Sequence, residues 1–307
     1  IYVADYGNNR VEVYEPTRKQ VSATTQADSS YLGGRTLQTH GLASPEGMDL
    51  DAHGNAYVVD RVAHRAAKLS SDGRLLASWG EHGSGPGQFD TPADIAAGPG
   101  GDIYIVDMGN HRVQQFDRYV RFVRTWGTKG TGPGQFQYPT GITVCSIGRV
   151  HVADSQNGRV QVFAADGEYM YSLARPTKSP GTAPQPRDVV VDDRGLAYVI
   201  DYENVVVFDT AGDVVREWTY QTNGGTRAGP AHVALDTEGS IYIADSTHGD
   251  IREFDAYGKL VNSWTGVGGG RSEGRFISPS GIAVGRFGSI FVADMRANRI
   301  AILDPTW

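Results

Sequence analysis

A single cysteine, Cys145, among 307 residues excludes an internal disulfide, so packing alone must hold the fold. No apolar run approaches the roughly 18 residues of a membrane span. Excess positive charge is missing too. The chain carries 28 Lys and Arg against 35 Asp and Glu, a formal charge of −7 with a pI near 5.6. That balance argues against a broad surface that tracks phosphates, although it leaves room for local basic patches. There is no Asn-X-Ser/Thr and no His-Glu-X-X-His. The stretch Gly266-Val-Gly-Gly-Gly lacks the Lys-Ser/Thr of a phosphate loop. Asp49-Leu-Asp-Ala-His-Gly lacks the twelfth-position Glu of a calcium loop and reads as a turn. Helical periodicity of 3.6 is absent from the apolar pattern. No targeting segment is visible, and Ile1 already lies within a strand-like run.

What the chain has is repetition. From Pro92 to Gln137, four short runs of β-branched and aromatic residues alternate with Gly, Asp and Asn turns, as four antiparallel strands would. We call these strands A to D. The proline opening strand A recurs at Pro45, Pro92, Pro139, Pro186, Pro230 and Pro279, and strand B with its terminal aspartate recurs seven times between Ile1 and Asp294. A period of about 40–50 residues with four strands per unit predicts an all-β propeller, because one such sheet has two apolar faces and must pack both on its neighbours. The forty glycines and fourteen prolines fit its turns. One domain is expected over residues 1–307, with repeats starting near 1, 45, 92, 139, 186, 230 and 279. Seven B and seven C strands, but six A and six D strands, favour seven blades, with six as the alternative.

Several residues stand out against the repeat. Asp and Arg five apart recur at Asp5/Arg10, Asp60/Arg65, Asp107/Arg112, Asp154/Arg159 and Asp294/Arg299, and are expected to lock the B–C hairpin. Repeats 5 and 6 break this pattern and should have different loops. Trp79, Trp126, Trp218 and Trp264 end strand D and are expected to pack between blades. The second residue after each strand A proline should ring the channel mouth: Gly47, Asp94, Gly141, Asp188, His232 and Gly281. Asp94, Asp188 and His232 are ligand types for one divalent cation, zinc, calcium or manganese, whereas the blander reading is a turn cap and a water-facing His. The residue after each strand B aspartate should form a second layer, and Tyr6, Arg61, Met108, Tyr202 and Met295 are its candidate ligand-binding residues. Arg61, Tyr6 and Tyr202 are the candidates should the site be catalytic.

Asp-X-Gly-Asn-X-Arg at Asp5–Arg10 and Asp107–Arg112, followed by Val-X-X-Phe/Tyr, resembles the NHL repeat. So does Gly-Pro-Gly-Gln-Phe at 85–89 and 132–136, ahead of Pro-X-Asp/Gly-Ile. The resemblance covers nearly the whole chain. It implies a propeller, six-bladed in most relatives, and functions that include protein and RNA binding, extracellular sensing and peptidyl-hydroxyglycine amidation. In the amidating lyases, zinc histidines follow the strand A proline. The matching residues here are Glu46, Ala93, Thr140, Arg187, Ala231 and Ser280, none of them His. Arg61 sits where a lyase arginine would. The expected function is therefore a non-enzymatic binding scaffold for a protein or small ligand, with a metal-assisted lyase or hydrolase at the channel mouth as the alternative. Nucleic acid is not expected as a partner. A secreted or extracytoplasmic setting is favoured by the resemblance alone.

Overall fold

The computed structural model describes residues 2–5, 10–13, 37–38, 42–70, 74–175, 184–220, 229–265, 276–285, 290–296 and 299–303. Repeats 2 to 6 each form one four-stranded antiparallel sheet ordered A-B-C-D. The innermost strands are Pro45–Leu50, Pro92–Ala97, Pro139–Val144, Asp188–Val191, Pro230–Leu235 and, in repeat 7, Pro279–Val284. B strands such as Ile103–Asp107 and Val150–Asp154 are buried along their whole length, because each is covered on both faces by neighbouring blades.

The described residues contain six inner strands, so the seven-bladed ring that the strand count favoured does not form. The sixth sheet holds strands A, B and C of repeat 7 and then Tyr2–Asp5, Arg10–Val13 and Leu37–Gln38. Among the described residues the hairpin Tyr2–Asp5 and Arg10–Val13 of repeat 1 does not reach the axis. It adds instead to the rim of repeat 7, pairing Asp5 opposite Arg299, where a strand D would lie. Residues 21–26, where the repeat would put the strand D of repeat 1, lie outside the described residues, and Leu37–Gln38 pairs with Arg10–Val13.

One apolar cluster fills each seam of the ring. The closing seam joins Met48, Val58 and Leu69 of repeat 2 to Ala283, Phe291 and Ala293 of repeat 7. The strand D tryptophans pack across seams, as their common register suggested. Trp126 lies 5.9 Å from Phe163 of the next blade, and Trp79 lies 5.9 Å from Phe116. Gly167, at φ +86°, gives Trp126 its seat, since a Cβ there would stand 2.8 Å from the indole.

The Asp–Arg pairs lock more than the hairpin. Buried Asp107 accepts from Arg112 Nε at 2.7 Å, Asn110 Nδ2 at 2.9 Å and the Asp90 amide at 2.7 Å. Asp154 repeats this with Arg159, Asn157 and the Gln137 amide. The loop entering strand A is thereby fixed to the hairpin beside it. Repeats 5 and 6 differ, as expected: Asp201 pairs with Arg175 at 3.4 Å, and Asp245 takes His248 Nδ1 at 2.9 Å.

Candidate functional site at the channel mouth

Strand A begins irregularly in almost every blade. The pairing register shifts just after the proline in repeats 2, 3, 4, 6 and 7. Such a bulge re-aims the side chain it carries, here the second residue after the proline. Asp94 and His232 sit on such bulges, and with Asp188, which opens the regular strand A of repeat 5, they converge, all buried, with ligand atoms within 4.8 Å of one another. His232 Nδ1 stands 3.2 Å from Asp188 Oδ2 and 3.8 Å from Asp94 Oδ1.

Both carboxylates already have structural partners. Asp94 Oδ1 accepts from the Ile95 amide at 2.8 Å, and its Oδ2 accepts from the Ile142 amide of the next blade at 2.9 Å. Asp188 does the same with Val189 at 2.8 Å and Val233 at 2.9 Å. Asp49, two residues beyond Gly47, bonds the Leu50 and Ala97 amides. These aspartates clip one inner strand to the next. The glycines of the ring make room for the clips rather than for a ligand. A Cβ on Gly47 would stand 2.2 Å from Asp94 Oδ1, one on Gly141 2.3 Å from Asp188 Oδ1, and one on Gly281 2.3 Å from the Glu46 carbonyl.

The clips shape the electrostatics. Burial alone would lower the His232 imidazole, but Asp94 and Asp188 outweigh it and push the pKa up to about 9. Burial raises Asp94 well above the usual carboxylate range, with His232 opposing and Asp188 adding to the rise. Asp49 is raised to about 6, chiefly by burial, against its two amide hydrogen bonds. At neutral pH the triad thus holds a proton on His232. The three residues could hold a metal ion, because amide-oriented carboxylates still have lone pairs to share, but the ion must displace that proton.

The residues directly after the proline extend the site outward. Glu46 Oε1 accepts from Arg61 Nη1 at 2.8 Å, while its Oε2 is shielded from solvent and has no hydrogen-bond partner. Burial raises the Glu46 carboxyl, with Arg61, His232 and Arg187 opposing. Arg187 Nη1 donates to the Tyr202 hydroxyl at 3.2 Å, and its guanidinium lies 5.2 Å over the Tyr202 ring. Arg187 Nε is likewise buried without a partner. Repeats 2 and 5 stand opposite in a ring of six, and the Arg187 charge reaches Glu46.

The structure thus gathers Asp94, Asp188 and His232, and places Arg61 and Tyr202 as supports of Glu46 and Arg187. Met108 packs into the seam between repeats 3 and 4. The Met295 amide bonds the Ser278 carbonyl at 2.9 Å, and Tyr6 lies outside the described residues. Glu46 and Arg187 were not among the candidates. Their signal was present, since they are the two charged residues at a ring position otherwise filled by Ala, Thr, Ala and Ser. A second group, His64, His82 and Asp90, also brings ligand-type atoms within 4.8 Å. There His64 Nδ1 accepts the Thr91 amide at 3.1 Å, which leaves it no lone pair for a metal.

Residues 89–116 and 136–163 match the NHL repeat. A search of curated proteins finds no match. Similar solved structures include a catalytically inactive virginiamycin B lyase from Staphylococcus aureus with quinupristin, 13% identical, with a TM-score of 0.64 over 87% of this chain and 83% of that one. A streptogramin B lyase is 15% identical, with a TM-score of 0.63 over 88% and 84%. A chain of a nidogen/laminin complex is 14% identical, with a TM-score of 0.62 over 86% and 93%. At these identities the likeness speaks for the fold. With its repeated inner prolines, its Asp–Arg hairpin locks and two outright repeat matches, this chain is a β-propeller that carries NHL repeats.

Proposed function

We propose that this propeller is a non-enzymatic binding scaffold whose channel mouth receives a small ligand or the polar tip of a protein partner. The supporting observation is the opposed pair of Glu46 and Arg187, each carrying a buried polar atom with no partner. An unpaired buried donor or acceptor costs roughly 1–3 kcal/mol, more when charged, and a bound group recovers it. A propeller in a nidogen/laminin complex shares the fold, as do streptogramin-type lyases, so the fold itself favours neither role. A calorimetric screen of small polar compounds tests the reading. Compounds bound by the wild type should lose affinity in both Glu46→Ala and Arg187→Ala. Binding unaltered in both variants moves the site to the outer loops.

The second reading is a metal-assisted lyase or hydrolase, favoured by the convergence of Asp94, Asp188 and His232. The bound cation would supply Lewis acidity, and Arg61 and Tyr202 would lie beside the substrate. Its test is elemental analysis of the purified protein, followed by zinc, calcium and manganese titrations on either side of pH 9. Stoichiometric metal lost in His232→Gln supports it, whereas absence of binding even above pH 9 removes it. Loss of function in an Asp94→Ala, Asp188→Ala double variant would not suffice, because both residues also clip blades together.

A further inference from the structure

We propose that the mouth takes a small zwitterion, its carboxylate on the side edge of Arg187 and its ammonium group at Glu46. This rests on the mouth being the binding site and names the chemistry it selects. Arg187 is held on three sides. Its Nη1 is on Tyr202, its guanidinium faces the Tyr202 ring, and its carbonyl accepts from Thr140 Oγ1 at 2.7 Å. Among the described residues, nothing accepts from Nε or Nη2. Those two donors form the parallel fork that matches a carboxylate in bidentate fashion. Lysine could not offer that edge.

Glu46 is the complement. Arg61 fixes Oε1, and Oε2 is left as a buried acceptor with no donor. An ammonium group brings the charged N–H that this oxygen lacks. The charge of the surroundings then favours one molecule carrying both ends. Asp94 and Asp188 stand beside the protonated His232, and Glu46 is held by Arg61. A plain anion would leave the Glu46 acceptor without a donor. A plain cation would leave the Arg187 edge unpaired. A zwitterion fills both and adds no net charge, and the positions of Glu46 and Arg187 on opposite blades orient it across the mouth.

The test reads Arg187 directly. Its side-chain Nε–H resonance, assigned by its loss in Arg187→Lys, is followed while glycine, β-alanine and glycylglycine are added. Acetate and methylammonium serve as one-ended controls. At least one zwitterion should shift the resonance saturably, with Glu46→Gln weakening it about tenfold, as loss of one charged hydrogen bond implies. Acetate should bind about tenfold more weakly than the best zwitterion for the same reason. The assignment falls if no zwitterion moves the resonance, or if acetate matches the best of them. Failure of the two readings is separable. If Arg187 stays silent while other compounds shift the Arg61 and Tyr202 amides, the mouth still binds and the zwitterion is wrong. If those amides also ignore every compound the protein binds, both readings fall.

Discussion

At the scale of single residues, His232 sets the state of the axis. Its pKa, about 9 in the folded protein, lies above the roughly 6.5 of an unfolded histidine. The native state therefore keeps a proton that the unfolded chain releases, and this stabilisation is complete below about pH 6.5 and lost as pH rises through about 9. Urea unfolding from pH 6 to 10 should show stability falling by on the order of 2–3 kcal/mol, and His232→Gln should flatten the slope. An equal slope in the variant would place the titrating group elsewhere. Gly141 makes a second residue-scale case. Gly141→Ala should destabilise by about 2–3 kcal/mol, because the new Cβ meets backbone as well as carboxylate atoms of Asp188. A loss below about 0.5 kcal/mol, the range of a neutral surface change, would show that the clip is not where it is drawn. Alignment of the repeats made the ring of Asp94, Asp188 and His232 legible, since symmetry brings equivalent positions to one axis. It could not show that Glu46 and Arg187 sit on opposite blades, because opposition depends on the number of blades. Nor could it show that the ring glycines are filled by neighbouring carboxylates, which is a contact between repeats.

At the scale of elements, each strand could be read because its residues answer to local demands. Strand B is continuously apolar since both its faces are covered, whereas strand D alternates or lies exposed, as in Phe122–Trp126. The tryptophan ending strand D is the exception to its exposure. Trp126→Ala should cost about 3–5 kcal/mol, because the indole fills a seam between Tyr104 and Phe163. Denaturant unfolding that shifts by less than about 1 kcal/mol would contradict that packing. The hairpin locks at Asp107 and Asp154 were legible as pairs. Their hold on the amides of Asp90 and Gln137 was not, since that bond joins segments 17 residues apart and depends on the course of the loop.

For the whole molecule, counting strands did not decide the number of blades. A blade is defined by a strand at the axis, and repeat 1 brings none among the described residues, so its hairpin extends the sheet of repeat 7 at the rim. The charge of the whole molecule bears on its partners. With a formal −7, no binding to mixed single-stranded RNA is expected at physiological salt, and micromolar binding with a steep salt dependence in a filter assay would overturn that. The aspartate clips have a consequence for exchange with solvent. The inner side of each described strand A is a free sheet edge turned toward the channel, where amide protons would ordinarily trade with water quickly. At Ala97, Ile142 and Val233 a carboxylate from the preceding inner strand covers the amide. These three protons should exchange on the timescale of opening a seam, so deuterium uptake there would report when the ring parts, long before any blade unravels.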